Sequence, residues 1–300
     1  GGLCKERNSN SDERAEACRQ RHASALFARK EKEGTMKRFL ALCLSLCLAL
    51  ALAMPVCAAE PEMLPDGRII NGRDLIEKGE VVINGTVTVT GNNSSQVASL
   101  SIQLNGTMNL VHDAWPGRAY LGAVGLSIRG NPGRQGVITG GSIGCSGTMH
   151  LRDVQMTQVD TATLAPVSLT DGATLTLSGQ VTVAENKKNG APCNIYLQKG
   201  AKIVVDGLDP ASRIGVTLAP NYTDGNENAA FIVDKAGNPL TAEQLGGMFF
   251  QDSAPDTPIT SGMLKDGQVY TGSAPWPGPP ITQDTAVALD KTELSLEPGQ

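Results

Sequence analysis

The stretch that decides the fold is NIYLQKGAKIVVDGL, residues 194–208. Two apolar runs, Ile195-Tyr196-Leu197 and Ile203-Val204-Val205, flank the polar turn Gln198-Lys199-Gly200. Ala201, Ile203 and Val205 alternate with Lys202, Val204 and Asp206, so the second run has one face to bury and one mostly polar face. Both runs read as strands. They form either an isolated hairpin or one unit of a longer series.

A series is present. GTVTV begins at Gly85, GTMNL at Gly106, GLSI at Gly125, GTMHL at Gly147, GATLTL at Gly172 and GAKIVV at Gly200. The interval starts at about 20 residues and lengthens to about 28, the range of a repeat in which each unit is one coil. A turn glycine precedes each alternating run, with one-residue slips of phase at Gly125 and Gly172. A single coil cannot bury its own apolar face, so coils must stack, strand on equivalent strand about 4.8 Å apart. Helical periodicity is nearly absent after residue 60, which argues against βαβ units. The competing architecture is an antiparallel sandwich, whose strands recur every 8 to 12 residues or so.

Composition agrees with many short strands. Charged residues make up 18% of the 300 and aromatics 4%, while glycine reaches 34. The net charge of -5 offers no overall basic character to track a phosphate backbone, so nucleic acid is not an expected partner.

The N-terminus is read separately. From Met36, a Lys37-Arg38 start, an uncharged apolar run and the small-residue exit Cys57-Ala58-Ala59 have the layout of a secretory signal peptide, assigned to 36–59 as a helix that meets the membrane only before cleavage. Lys32-Glu33-Gly34-Thr35 can be encoded by a purine-rich run ahead of Met36, so 1–35 read as an untranslated or disordered leader. Export to the cell surface or medium follows. Five of the seven cysteines then fall in the leader or signal, leaving Cys145 and Cys193. Roughly two coils apart, they would sit ~10 Å from one another, beyond disulfide reach. No Cys-x-x-Cys pair or Cys/His cluster remains, so no metal and no cofactor is expected.

ITGGSIGCSGTMHLRDVQMT (138–157) and LTDGATLTLSGQVTVAENKKNGAPCNIYLQKGAKIVVDGL (169–208) resemble the pectate-lyase-like parallel β-helix repeats of large bacterial surface proteins. RIGVTL (213–218) is similar to the segment leading to the end of such a helix. The resemblance covers about half the chain and implies a fold and a location more than an activity. The expected fold is all-β: a right-handed parallel β-helix over 60–219, with an irregular C-terminal cap over 220–271. Within the cap, 241–245 reads as a single helical turn before Met248-Phe249-Phe250. GSAPWPGPP (272–280) is a stiff linker. ITQDTAVALDKTELSLEPGQ (281–300) resembles the opening of a bacterial immunoglobulin-like domain of the intimin/invasin type. Such a domain needs about 80 to 100 residues, so the chain reads as a fragment of a longer protein.

Candidate chemistry is sparse. If the chain is an enzyme, the resemblance implies a polysaccharide lyase or glycoside hydrolase, and glycosidases need two carboxylates about 5 to 9 Å apart. The candidates are Asp153 with Arg152 and His150, then Asp160 and Asp171. Alternation along one strand puts Arg152 and Asp153 on opposite faces. The paired-aspartate, Gly-His-Gly and Arg-Ile-Lys motifs of pectin-cleaving hydrolases are absent, as is the Trp-Ile-Asp-His pattern of the lyases. His112, Asp113 and Trp115 form a polar-aromatic patch that could stack on a sugar ring. The Asn-Gly-Thr triplets at Asn84 and Asn105 match a glycosylation sequon and also suit turns. The reading is a monomeric binding or spacer module contacting a glycan or a host or cell-surface ligand. The alternative is a carbohydrate-active enzyme.

Overall fold

The computed structural model describes residues 60–223 and 226–272. The segments expected to be a leader and a signal peptide, most of the proline-rich linker and the segment expected to open an immunoglobulin-like domain lie outside them. The described chain is all-β, and its strands pair mostly in parallel.

The parallel strands form three ladders. The first takes β1 (Glu62–Leu64), β3 (Glu80–Ile83), β6 (Ser99–Leu104), the second half of β8 (Tyr120–Arg129) and the middle of β10 (Ser142–Thr157). It continues through the first half of β13 (Thr174–Ala184), β17 (Lys202–Leu208) and β19 (Ile232–Val233). The second joins β2 (Ile69–Asn71), β4 (Thr86–Thr90), β7 (Thr107–Val111) and β9 (Gly136–Thr139) to the ends of β10 and β13. It closes on the start of β18 (Arg213–Leu218) and β20 (Phe249–Gln251). The third runs from β5 (Asn92–Ser94) through the starts of β8 and β10, then β12 (Val167–Leu169), β16 (Ile195–Leu197) and the end of β18. Successive partners within a ladder lie 18 to 35 residues apart, most of them close to the roughly 20 to 28 of the repeat reading and the longest on the second ladder, between Ile214 and Phe249.

Within each ladder the apolar residues stack. Leu100, Leu126, Met149, Leu175, Ile203 and Ile232 are partners in turn. Two residues on, Ile102, Ile128, Leu151, Leu177 and Val205 repeat the pattern. All but Val205, which is partly buried, belong to the buried core. Each fully buried Leu or Ile side chain contributes about 1.5–3 kcal/mol of transfer free energy. These columns are the main cohesive element of the stack.

The structure chooses the series over the hairpin and refines how its repeats are placed. The runs at 195–197 and 203–205 are not a hairpin, because β16 pairs with β12 and β18 whereas β17 pairs with β13 and β19. The six glycine-led repeats also belong to two ladders. GTVTV and GTMNL lie on the second, and the other four lie on the first. The real predecessor of GLSI is Ser99-Leu100-Ser101-Ile102, in register with Gly125-Leu126-Ser127-Ile128. The slip at Gly125 is present, since Gly125 faces Thr148 rather than Gly147.

The turns explain the merger. Gly85 and Gly106 lie one above the other, so closely that a Cβ on Gly106 would overlap the Gly85 carbonyl. Beside them, Asn105 Nδ2 donates to Asn84 Oδ1 at 2.7 Å, so both Asn-Gly-Thr triplets do serve a turn. Helix α1 (Gly72–Lys78) packs on β2, β4, β5 and β6. Asn71 caps it by accepting from Arg73 N at 2.9 Å, and Leu75 and Ile76 are its buried face.

Beyond Pro220 the chain still supplies rungs, β19 and β20, to the first two ladders. Between them the expected helical turn is α2 (Ala242–Leu245), closed by a Thr241–Gln244 capping box. Antiparallel pairing then takes over: β21 (Ala254–Pro258) on β20, and β22 (Leu264–Lys265) on β23 (Gln268–Val269). A small separate sheet of β11 (Asp160–Thr161), β14 (Lys187–Lys188) and β15 (Ala191–Pro192) stands beside the third ladder.

Candidate functional site

The carboxylates proposed from the sequence are not brought together. Asp153 lies between the first and second ladders, Asp160 in the small sheet, and Asp171 in the turn before β13. Asp153 is buried, with φ of 50°, at the point where β10 slips register between Arg152 and Val154. Its Oδ1 accepts from Gln180 N at 2.9 Å, and its Oδ2 pairs with Arg152 Nε at 3.3 Å. The carboxylate therefore serves the bulge, holding a backbone N–H of the next strand. Asp153 turns inward and Arg152 outward, as alternation expects, but from its left-handed backbone the carboxylate still reaches the exposed Arg152. His150 is exposed on the outer face of β10, between Ser127 and Thr176.

The aromatic patch is assembled as the sequence suggests. In the segment between β7 and β8, His112 Nδ1 accepts from the backbone N–H groups of Ala114 and Trp115, both at 3.3 Å. The two rings lie 4.9 Å apart, tilted by 40°. Arg118, which the sequence reading did not single out, sits over the indole at 5.7 Å. Trp115 remains 55% exposed, and Asp113 is exposed at the loop tip.

That loop is anchored to its neighbours. Ala162 N donates to Gly117 O at 2.8 Å, which ties it to the segment carrying β11. The β14–β15 turn is tied to that segment in turn, with Gly190 N donating to Asp160 Oδ1 at 3.2 Å. Three segments far apart in sequence thus form one rim beside the third ladder. On the ladder's outer face Tyr120 lies over Gly122 and Gly144, where any Cβ would overlap its ring. Tyr196 follows, in register with Ser168 and Thr217, with Lys188 Nζ 5.4 Å from its ring. Burial pushes the Tyr120 phenol up, and Cys145 adds to the shift.

The face ends in an open groove of about 490 Å³, lined by Pro192, Thr217, Gln251, Asp252 and Gln268 among others. Asp252 is 3% exposed. Asn194 donates to it from its backbone N at 2.7 Å and its Nδ2 at 2.5 Å, and Thr217 Oγ1 donates at 2.6 Å. Asn194 Oδ1 in turn accepts from Asn186 N and Nδ2 at 3.0 and 2.9 Å. Despite these donors, burial wins and raises the Asp252 carboxyl above the usual range. The nearby Cys193 thiol is pushed up to about 11, chiefly by burial. Sequence reasoning missed Asp252 because its partner lies 58 residues away.

Among the described residues, no group of three or more His, Cys, Asp and Glu is placed to hold a metal ion. Comparison of the chain with protein-family models, curated proteins and solved structures finds no match.

Proposed function

We propose that this chain is a right-handed parallel β-helix exported to the cell surface, where it acts as a binding or spacer module that contacts glycans. Three ladders of parallel strands, advancing by one coil of 18 to 35 residues, support the β-helix. The signal-like segment at 36–59 supports export. The observation that carries the binding role is Trp115. An indole more than half exposed, braced by His112 and Arg118 on an anchored loop, loses little conformational freedom when it stacks on a sugar ring.

The test is a glycan-array screen of the full chain beside Trp115→Ala. Binding of one glycan class that is lost in the variant is the expected result. Binding that survives the substitution overturns the Trp115 assignment, and silence in both proteins leaves the spacer.

One observation favours the enzyme alternative. Asp252, a buried carboxyl with a raised pKa, lines the groove, and burial of this kind is one way a carboxyl is made to keep its proton longer for general-acid work. A reducing-sugar and unsaturated-product assay separates the readings: turnover abolished by Asp252→Asn would put the enzyme first.

A further inference from the structure

The first ladder's outer face presents a second, different surface. Arg129 and Arg152 are exposed partners on neighbouring strands. Like charges set side by side across a strand pair are destabilising, so an unneutralised pair requires an explanation. Arg129 Nε donates to Ser127 Oγ at 3.1 Å, and Arg152 Nε meets Asp153. Both contacts use Nε. Among the described residues, neither guanidinium has a protein acceptor for its Nη nitrogens. Asp153 is itself committed to Gln180 N, so it neutralises Arg152 only in part.

The surroundings are polar, with Asp153 the carboxylate in contact and Glu80 at the far end of the His150 row. His150 is on the same strand face as Arg152, two residues before it. Ser101, Ser127 and Thr176 share the His150 row, and Gln103 and Ser178 share the arginine row. Neighbouring strands are about 4.8 Å apart, and alternate residues on a strand are separated by roughly 6.6 Å. Two forked cations and an imidazole are therefore presented within one short, flat strip, in a protein whose net charge is -5.

We infer that Arg129, Arg152 and His150 form a binding strip for an anionic polysaccharide carrying sulfate or carboxylate groups. Guanidinium forks match both oxyanions bidentately, and the flanking Ser101 and Thr176 hydroxyls suit sugar hydroxyls. The strip lies on a different ladder from the Trp115 loop. It rests on the proposed glycan-contact role only in choosing a polysaccharide over other polyanions.

The experiment titrates the full chain with heparin, polygalacturonate, neutral dextran and duplex DNA at two salt concentrations. The variants are Arg129→Ala, Arg129→Glu and, as an exposed cation elsewhere, Arg73→Ala. Heparin or polygalacturonate should bind with an affinity that falls with salt, and which of the two binds tells sulfate from carboxylate. Arg129→Ala should weaken binding about tenfold or more, as expected for losing one charge-assisted contact. Arg129→Glu should abolish it, while Arg73→Ala leaves it unchanged. Far-ultraviolet circular dichroism of each variant checks the fold. No polyanion binding, equal binding by Arg129→Ala, or an equal loss in Arg73→Ala overturns the strip. DNA bound as tightly as the polysaccharides overturns the glycan assignment. A polyanion held through Arg129 alongside an array insensitive to Trp115→Ala would sink the Trp115 reading and keep this one.

Discussion

Asn194 reaches both carboxylate oxygens of Asp252, from its backbone N–H at 2.7 Å and from its side-chain amide at 2.5 Å. The contact ties the turn before β16 to the residue after β20, and Asn186 extends it by one further link. A carboxylate so well supplied with donors would ordinarily be an easy anion. Burial outweighs them and the pKa is raised.

That direction sets a pH dependence. A folded-state pKa above the unfolded value means the native chain holds the proton longer, so this group's contribution is fully present below the unfolded pKa, near 3.8. It is lost as pH rises through the folded value. Urea midpoints measured across the acid range for wild type and Asp252→Asn should give a difference that moves against wild type as pH rises. A difference moving the other way would show that the donors, not burial, dominate.

Ile203 and Lys202 test the register of the first ladder. Ile203 is fully buried between Leu175 and Ile232, whereas Lys202 is exposed beside Thr174. Ile203→Asp places an unpaired charge inside the column and should cost several kcal/mol. Lys202→Asp should change stability by about 0.5 kcal/mol or less. Denaturant unfolding of the two variants decides the matter, and comparable losses would refute the assigned facing.

The contrast between these neighbours was legible in the sequence because strand alternation is a local signal. So was the His112–Trp115 patch, whose members are three residues apart. The division of the repeats between two ladders was not legible: a corner glycine followed by threonine and an apolar residue opens strands on either ladder, as at Gly106 and Gly147. Nor was Asp252 legible, since no local pattern marks a carboxylate whose donors lie on another rung. At Asp153 alternation separated the right residues, leaving Arg152 outside and Asp153 inside. It gave no sign that a left-handed residue would carry the carboxylate to the next strand's backbone.

The two cysteines of the described chain give a third prediction. Cys145 is in register with Leu169, which is in register with Leu197, so Cys145 lies two rungs from the strand that Cys193 precedes. Both thiols are free and buried, and burial raises both pKa values, Cys193 to about 11. The thiolate is the reactive form. With a thiol-reactive chromophore at pH 8, neither should react appreciably in native protein with 1–59 removed, and both should react at once in guanidinium. One rapid native equivalent would contradict the buried placement.

Asp153 and Gly179 form a pair across neighbouring strands that separates a structural carboxylate from a catalytic one. Gly179 has φ of 61°, and a Cβ there would overlap the Asp153 carboxylate. Gly179→Ala combines a left-handed backbone, costing roughly 1–2 kcal/mol for an L-residue, with that overlap. Asp153→Ala removes the acceptor of Gln180 N and should cost about 1–3 kcal/mol. Asp153→Asn keeps an acceptor oxygen and suits the left-handed region. It forfeits only an ion pair whose arginine is 55% exposed, so it should cost under about 1 kcal/mol. The double variant Asp153→Ala/Gly179→Ala should be less destabilised than the sum of its parts, because the first change clears the space that the second fills. Chemical denaturation of the four proteins measures the cycle. Strict additivity would refute the packing of the carboxylate over Gly179. Asp153→Asn as damaging as Asp153→Ala would instead show that the negative charge, rather than the accepting oxygen, holds the bulge.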